Sequence, residues 1–269
     1  MHSPSSPARR VPMVLLGLLL LGAGAAQADQ LDTILAAKKL RVAIDLAVPP
    51  YSMKDDKLRL IGSDVETAQR MAKDFGLELE VVPTTLTNRV PYLQTNKADI
   101  VISAFSITPE RAKVIDFSVP YAPILVVVGA PKSMKITSPA DLAGKKLIAT
   151  RGTTNDQELT KIAPSSATIT RFDDDATSMT AMVSGQADIW ATSPMLLKVV
   201  NQKNPSRDIE SKLTLKANLL AVGLRKGEPR LKEKIDGWIR TNLSNGELNT
   251  IYKKYHEAEL PPEILHPAS

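Results

Sequence analysis

Short apolar, β-branched runs alternate with stretches in which apolar residues recur every three or four positions, and this alternation predicts an α/β chain. Residues 40–45, 77–82, 98–103, 124–128, 145–150, 167–172 and 187–192 read as strands, with 213–217 and 220–226 bringing the chain back for a second crossing. Residues 31–37 form a helical lead-in. After a turn at 54–57, Val65, Ala68, Met71, Ala72 and Phe75 share one face of a helix expected over 58–75. A polar loop at 84–89 precedes a short helix over 90–95, and 138–143 reads as a short capped helix. Met179, Met182 and Val183 mark a helix that starts at Asp173, Asp174 and Asp175, and 196–202 is another. Leu231, Ile235, Trp238, Ile239 and Leu243 turn one side of a continuous 229–255 helix toward the core, with Trp238 inside.

Residues 97–121 organise the rest. The 98–103 strand is apolar on both faces, as a parallel sheet requires. Then Ser103, Ser106 and Thr108 place hydroxyls at its carboxyl end, and Thr108, Pro109 and Glu110 supply a helix cap, a first-turn proline and a first-turn acid. Open α/β sheets bind ligands at this location. Arg111, one turn in, offers a bidentate fork to a carboxylate beside the positive helix start. The competing reading is a solvated arginine beside serines that merely cap.

Composition narrows the classes. There is no cysteine, which excludes disulfides, thiolate metal sites, cysteine catalysis and a lipidated cysteine anchor. Arg9 and Arg10, the apolar run 11–24 and Ala26-Gln27-Ala28 predict a signal peptide cleaved after Ala28, the run being shorter than the ~20 residues of a membrane span. Losing Arg9 and Arg10 lowers the formal charge of +5 by two, and no basic run interleaves with aromatics, so nucleic acid is not an expected partner. Beyond the leader the only histidines are His256 and His266, and no calcium loop is present, so neither a metal nor a cofactor is expected. The cleft-forming segments hold no Ser/His/Asp set for hydrolase chemistry.

The run Ser103, Ser106, Ile107, Thr108, Arg111, Asp116, Phe117, Ser118 and Tyr121 resembles the carboxylate-binding segment of the extracellular solute-binding proteins of family 3, the polar amino-acid receptors of bacterial ABC importers. The resemblance implies a periplasmic-binding-protein-like α/β fold of two lobes, each with an open sheet, joined by two crossing hinge strands. On that pattern 1–28 is the leader, 29–122 the first part of lobe one, 123–219 lobe two, and 220–269 the return to lobe one. It implies that Arg111, with Ser106, Ser103 and backbone amides, holds the ligand's carboxylate, and that Gly152, Thr153 and Thr154 form the opposing jaw. Ala104 stands where serine or glycine is frequent, which removes one hydroxyl contact. Phe105 and Tyr51 would cover apolar parts of the ligand, although Tyr51 reads equally as a brace for the Pro49-Pro50 turn. Arg89, in Thr87-Asn88-Arg89-Val90-Pro91, would meet a distal carboxylate, as in some acidic-amino-acid receptors. Gly62-Ser63-Asp64-Val65-Glu66 resembles the family's helix-entrance signature with Ser63 departing from it, and Asp64 and Glu66 read as acids opposing the helix dipole.

The largest departure falls at Ser193. Strand 187–192 repeats the Ala-Asp-Ile of 98–100, and at its end these receptors present an aspartate to the ligand's ammonium; here the position is serine, and no Asp or Glu lies between Asp188 and Asn201. A desolvated ammonium without a carboxylate gives up about 1.5–3 kcal/mol. The ligand expected is therefore a carboxylate, dicarboxylate or keto acid, unless Glu66 or another acid compensates. The expected function is a monomeric periplasmic receptor that delivers a small carboxylate-bearing solute, whether a polar or acidic amino acid or an organic acid lacking the ammonium, to an inner-membrane permease. The alternative is an exported enzyme on the same fold, similar to cyclohexadienyl dehydratase. Its chemistry needs a proton-donating carboxylate just past the second-lobe strand, and Ser193-Pro194-Met195-Leu196 has none, so no enzymatic activity is expected.

Overall fold

The computed structural model describes residues 29–265 together with His2. The expected leader and the end of the C-terminal tail otherwise lie outside the described residues. Helix α1 (Gln30–Ala37), capped by the Asp29 carboxylate accepting from the Leu31 N–H, leads into β1 (Lys39–Ile44). A small hairpin, β2 (Met53–Lys54) and β3 (Leu60–Ile61), precedes α2 (Ser63–Asp74). Next come β4 (Glu78–Pro83), α3 (Arg89–Gln94), β5 (Ile100–Val101), α4 (Pro109–Ala112) and β6 (Ile115–Phe117). Strand β7 (Ala122–Pro131) crosses into a second unit of β8 (Lys146–Thr150), α5 (Thr154–Ile162), β9 (Thr168–Phe172), α6 (Asp175–Ser184), β10 (Ile189–Thr192) and α7 (Pro194–Lys203). Strand β11 (Ile209–Leu220) runs back, and β12 (Gly223–Arg225), α8 (Pro229–Ser244), α9 (Glu247–His256) and α10 (Pro262–Leu265) close the chain.

Two mixed five-stranded sheets result, ordered β4-β1-β5-β12-β6 and β11-β7-β10-β8-β9. In the first, β1 pairs in parallel with β4 on one side and β5 on the other; in the second, β8 does the same with β9 and β10. Connections leaving such a pair of strands diverge to opposite faces and open a crevice at their carboxyl ends. Each lobe therefore has one crevice, after β1 and β5 and after β8 and β10. Strands β7 and β11 join the lobes and pair antiparallel from Ala122 and Leu220 to Pro131 and Ile209.

Side-chain alternation places the cores. In lobe two, Ile148 and Trp190 face a layer with Met182, Leu197 and Val200, while Leu147, Ala149, Ile189 and Ala191 face Leu142 and Leu159 on the other side. Apolar residues at successive positions are what a strand covered on both faces demands. In lobe one, Val42, Ile44, Ile100 and Ile102 pack with Val65, Ala68 and Met71 of α2 and with Leu231, Ile235, Trp238, Leu248 and Ile251 of the returning helices. Trp238 is buried, as its helical spacing predicts, and donates its indole N–H to Asp74.

Three expected elements differ. The 58–75 helix begins only at Ser63, because Leu58 has a left-handed φ of 61° and Leu60 and Ile61 pair with Lys54 and Met53. The 229–255 helix is two helices, broken at Gly246 with φ 82°; both halves bury apolar faces in one core, so the periodicity crosses the break. The 138–143 segment is a single 3₁₀ turn, Pro139–Leu142, held by a capping box between Ser138 and Asp141.

Asp64, in the first turn of α2, does more than oppose the dipole. It is buried, and its Oδ2 accepts from the Ala104 N–H at 2.6 Å while its Oδ1 accepts from the Tyr121 hydroxyl at 3.1 Å. This carboxylate pins the turn after β5, where Ala104 adopts φ 43°. Burial pushes its pKa up to about 6. Gly62 makes the approach possible: with φ 126°, it sits where a Cβ would lie 2.3 Å from the Tyr51 carbonyl oxygen.

Gly62→Ala should cost about 3 kcal/mol of stability in urea denaturation, since strained φ and a backbone clash add; an unchanged midpoint would refute this. Asp64 has its carboxyl raised in the folded state, so the stability it lends is complete below the ordinary value of 3.8 and is lost as pH rises through about 6. Asp64→Asn keeps an acceptor for Ala104 but cannot ionise. Relative to it, the wild type should lose roughly 3 kcal/mol between about pH 4 and pH 7, and parallel stability profiles for the two proteins would contradict that.

Candidate functional site

The crevices of the two lobes face each other and enclose one cleft. From lobe one it is lined by Val48, Tyr51, Leu86, Arg89, Ala104, Ser106 and Arg111, from β7 by Ile124, and from lobe two by Thr153, Thr154, Asn155, Asp175, Ser193 and Leu196.

Arg111 occupies the first turn of α4, whose start is set by Thr108 accepting from the Arg111 N–H with Pro109 behind it. Its Nη1 donates to the Ser106 carbonyl at 2.8 Å, and its Nη2 reaches the Gly152 carbonyl of the other lobe at 3.1 Å. Burial, then the nearby charge of Arg89, holds its pKa down at about 9. Arg89 is itself buried, with Nε donating to the Leu86 carbonyl and Nη1 to the carbonyls of Ser103 and Ala104. Desolvation lowers its pKa to about 10.

Phe105 lies beneath both arginines, its ring centroid 4.9 Å from Cζ of Arg89 and 4.8 Å from Cζ of Arg111, and it packs on Phe117 from behind. Fully buried, it stands outside the cleft lining and props the two cations through their attraction to its π face. Ser103 is also set back: its hydroxyl accepts from the Asp45 N–H at 3.0 Å and so ties the ends of β1 and β5 together. Ser106 and Ala104 line the cleft directly. Tyr51 lines it too and is buried against His256, so one ring both walls the cleft and packs inside lobe one.

On the opposing wall, Thr153 caps α5, its hydroxyl accepting from the Asp156 N–H and donating to the Thr150 carbonyl. Thr154 accepts from the Asn218 side chain, which links the jaw to β11. Gly152, with φ 76°, leaves room for Thr87 of the other lobe, whose methyl would lie 2.8 Å from a Cβ there. Ser193 caps α7 through the Leu196 N–H and brings no charge.

Two polar lining residues were not singled out from the sequence. Asn155 follows the Gly152-Thr153-Thr154 turn. Asp175 is the first residue of α6, buried, and its Oδ1 accepts from the Thr150 hydroxyl, which also contacts Ser178. Burial raises its pKa to about 6. Three adjacent aspartates signal a helix start and no more, since Asp174 provides the cap and only the fold shows which neighbour turns inward. Among the described residues, no cluster of three or more His, Cys, Asp or Glu side chains could hold a metal ion.

The site is thus one buried and one half-buried guanidinium facing helix starts and hydroxyls, an arrangement that favours a bound carboxylate. The chain is 29% identical over 198 residues to a glutamine-binding protein of an ABC transporter from Bacillus subtilis (strain 168), with 72% of each chain covered. Over a further 198-residue alignment it is 29% identical to a cyclohexadienyl dehydratase from Pseudomonas aeruginosa, covering 72% of this chain and 73% of the enzyme. A solved solute receptor for L-cysteine from Neisseria gonorrhoeae superposes with a TM-score of 0.79 at 29% identity, covering 88% of this chain and 98% of the receptor. The model of the bacterial extracellular solute-binding proteins, family 3, matches residues 40–258, and to that family this chain belongs.

Proposed function

We propose that this chain is the periplasmic, non-enzymatic receptor of an ABC importer, exported by its 1–28 leader, acting as a monomer without cofactor and presenting its closed form to an inner-membrane permease. Lobe one (29–122 and 220–269) and lobe two (123–219) close on a small carboxylate-bearing solute, a polar or acidic amino acid or an organic acid. The observation that carries this reading is the position of Arg111. Its half-buried guanidinium lies on the Phe105 ring, beside the buried Arg89, and reaches across the cleft to the backbone of the opposing jaw.

An anion relieves the repulsion between two neighbouring cations and supplies the charge-assisted bonds that backbone carbonyls give only weakly. Arg111 takes the carboxylate with Ser106, while the start of α5 at Thr153 and Thr154 closes from the far side. Arg89 has its Nε and Nη1 spent on carbonyls, and its remaining face is available to a second, distal acceptor. Tyr51 walls the apolar side.

One observation favours a second reading. Asp175 is a cleft carboxyl with a raised pKa, the property a dehydratase-like enzyme needs in a proton donor. Against it, Ser193 to Leu196 contain no acid at the end of β10, where such chemistry needs its proton donor.

In calorimetry against amino acids and dicarboxylates, Arg111→Ala should weaken binding of the preferred solute by about 100-fold or more, some 3 kcal/mol, with Arg111→Lys recovering part of it. Wild-type affinity in Arg111→Ala would remove the assignment. Incubation with prephenate should leave it unchanged, and turnover would decide for the enzyme.

A further inference from the structure

We infer that Asp175 supplies the anionic partner for a cationic group of the solute, in place of the acid missing at the end of β10, so that the solute is a zwitterion and not a simple organic acid. This deepens the receptor reading above and rests on it.

Asp175 is 4% exposed and lines the same cleft as Arg111. It enters from lobe two, at the carboxyl end of β9, so lobe closure brings an acid from one side toward the arginines of the other. Helix α6 does not need it as a cap: Asp174 accepts from the Thr177 N–H at 2.6 Å and fills that role. Its Oδ1 accepts from Thr150, and among the described residues Oδ2 has no hydrogen-bond partner.

This leaves one oxygen of a cleft-lining carboxylate available to a cation. The charged groups acting on it are Asp45 and Asp174, which repel it, and Arg89, which attracts it but spends its Nε and Nη1 on carbonyls. An ammonium or a similar donor in the cleft would satisfy the free oxygen and offset both repulsions. Asp45 is the other buried acid close by. Its Oδ1 accepts from the Ala47 N–H, and although its Oδ2 is unpartnered, it stands outside the cleft lining. Ser193, at the position where the sequence lacks an acid, is occupied by the α7 cap.

A purely structural role would be to accept the Thr150 hydrogen bond, and asparagine can do that too. The test is calorimetry on the whole protein with L-amino acids and their des-amino counterparts, glutarate for glutamate and glutaramate for glutamine among them. Wild type should bind its best amino acid at least about 10-fold tighter than the des-amino form. Asp175→Asn should lose about 10- to 100-fold for the amino acid while holding the des-amino form as before; Asp45→Asn should keep the preference. The inference is overturned if Asp175→Asn retains the preference, or if wild type binds the des-amino form as well as the amino acid. Arg111→Ala separates the two readings. Carboxylate binding that needs Arg111 but shows no preference for an ammonium overturns this inference alone, whereas a wild type that binds no carboxylate overturns both.

Discussion

Two guanidinium groups on one buried phenyl ring set the terms for this fold. Arg89 is buried and Arg111 half-buried against Phe105, and burial lowers the pKa of each. Such a pair persists only if the surrounding structure supplies acceptors without flooding the site. The supply is backbone: carbonyls of Leu86, Ser103, Ala104 and Ser106 from lobe one, and of Gly152 from lobe two. The turn after β5 is bent to deliver several of them, and the buried carboxylate of Asp64 holds that turn by its Ala104 amide. Helix α2, which lines no part of the cleft, thus governs the arginines at one remove.

Much of this was legible in the chain. Residues 98–111 could be read as strand, turn and capped helix because each signal is local: apolar pairs, hydroxyls, then Thr108-Pro109. The Gly152-Thr153-Thr154 turn was legible for the same reason. Phe105 was not, since a phenylalanine at a strand end reads the same whether it faces a solute or lies under two cations. Asp175 was hidden among three equivalent aspartates. The hairpin before α2 and the break at Gly246 escaped because hydrophobic periodicity reports which face is buried and not whether the backbone between two buried faces is continuous.

The serine at the end of β10 by itself points to an organic acid. The structure adds an acid that linear order does not reveal, because α6 and β10 converge on the cleft from separate connections of the second sheet. A site lined from several strand ends can lose a charge at one and carry it at another without altering the scaffold.

The bond from Arg111 to the Gly152 carbonyl means that, on the proposed receptor reading, the carboxylate-binding group already has a partner of its own across the cleft. A solute entering there competes with the protein's backbone for the same donor. A neutral oxygen would exchange one ordinary hydrogen bond for another and gain little, while a carboxylate exchanges it for a bond about twice as strong. On that reading the contact would act as a threshold, and discrimination by charge would begin with what the solute has to displace.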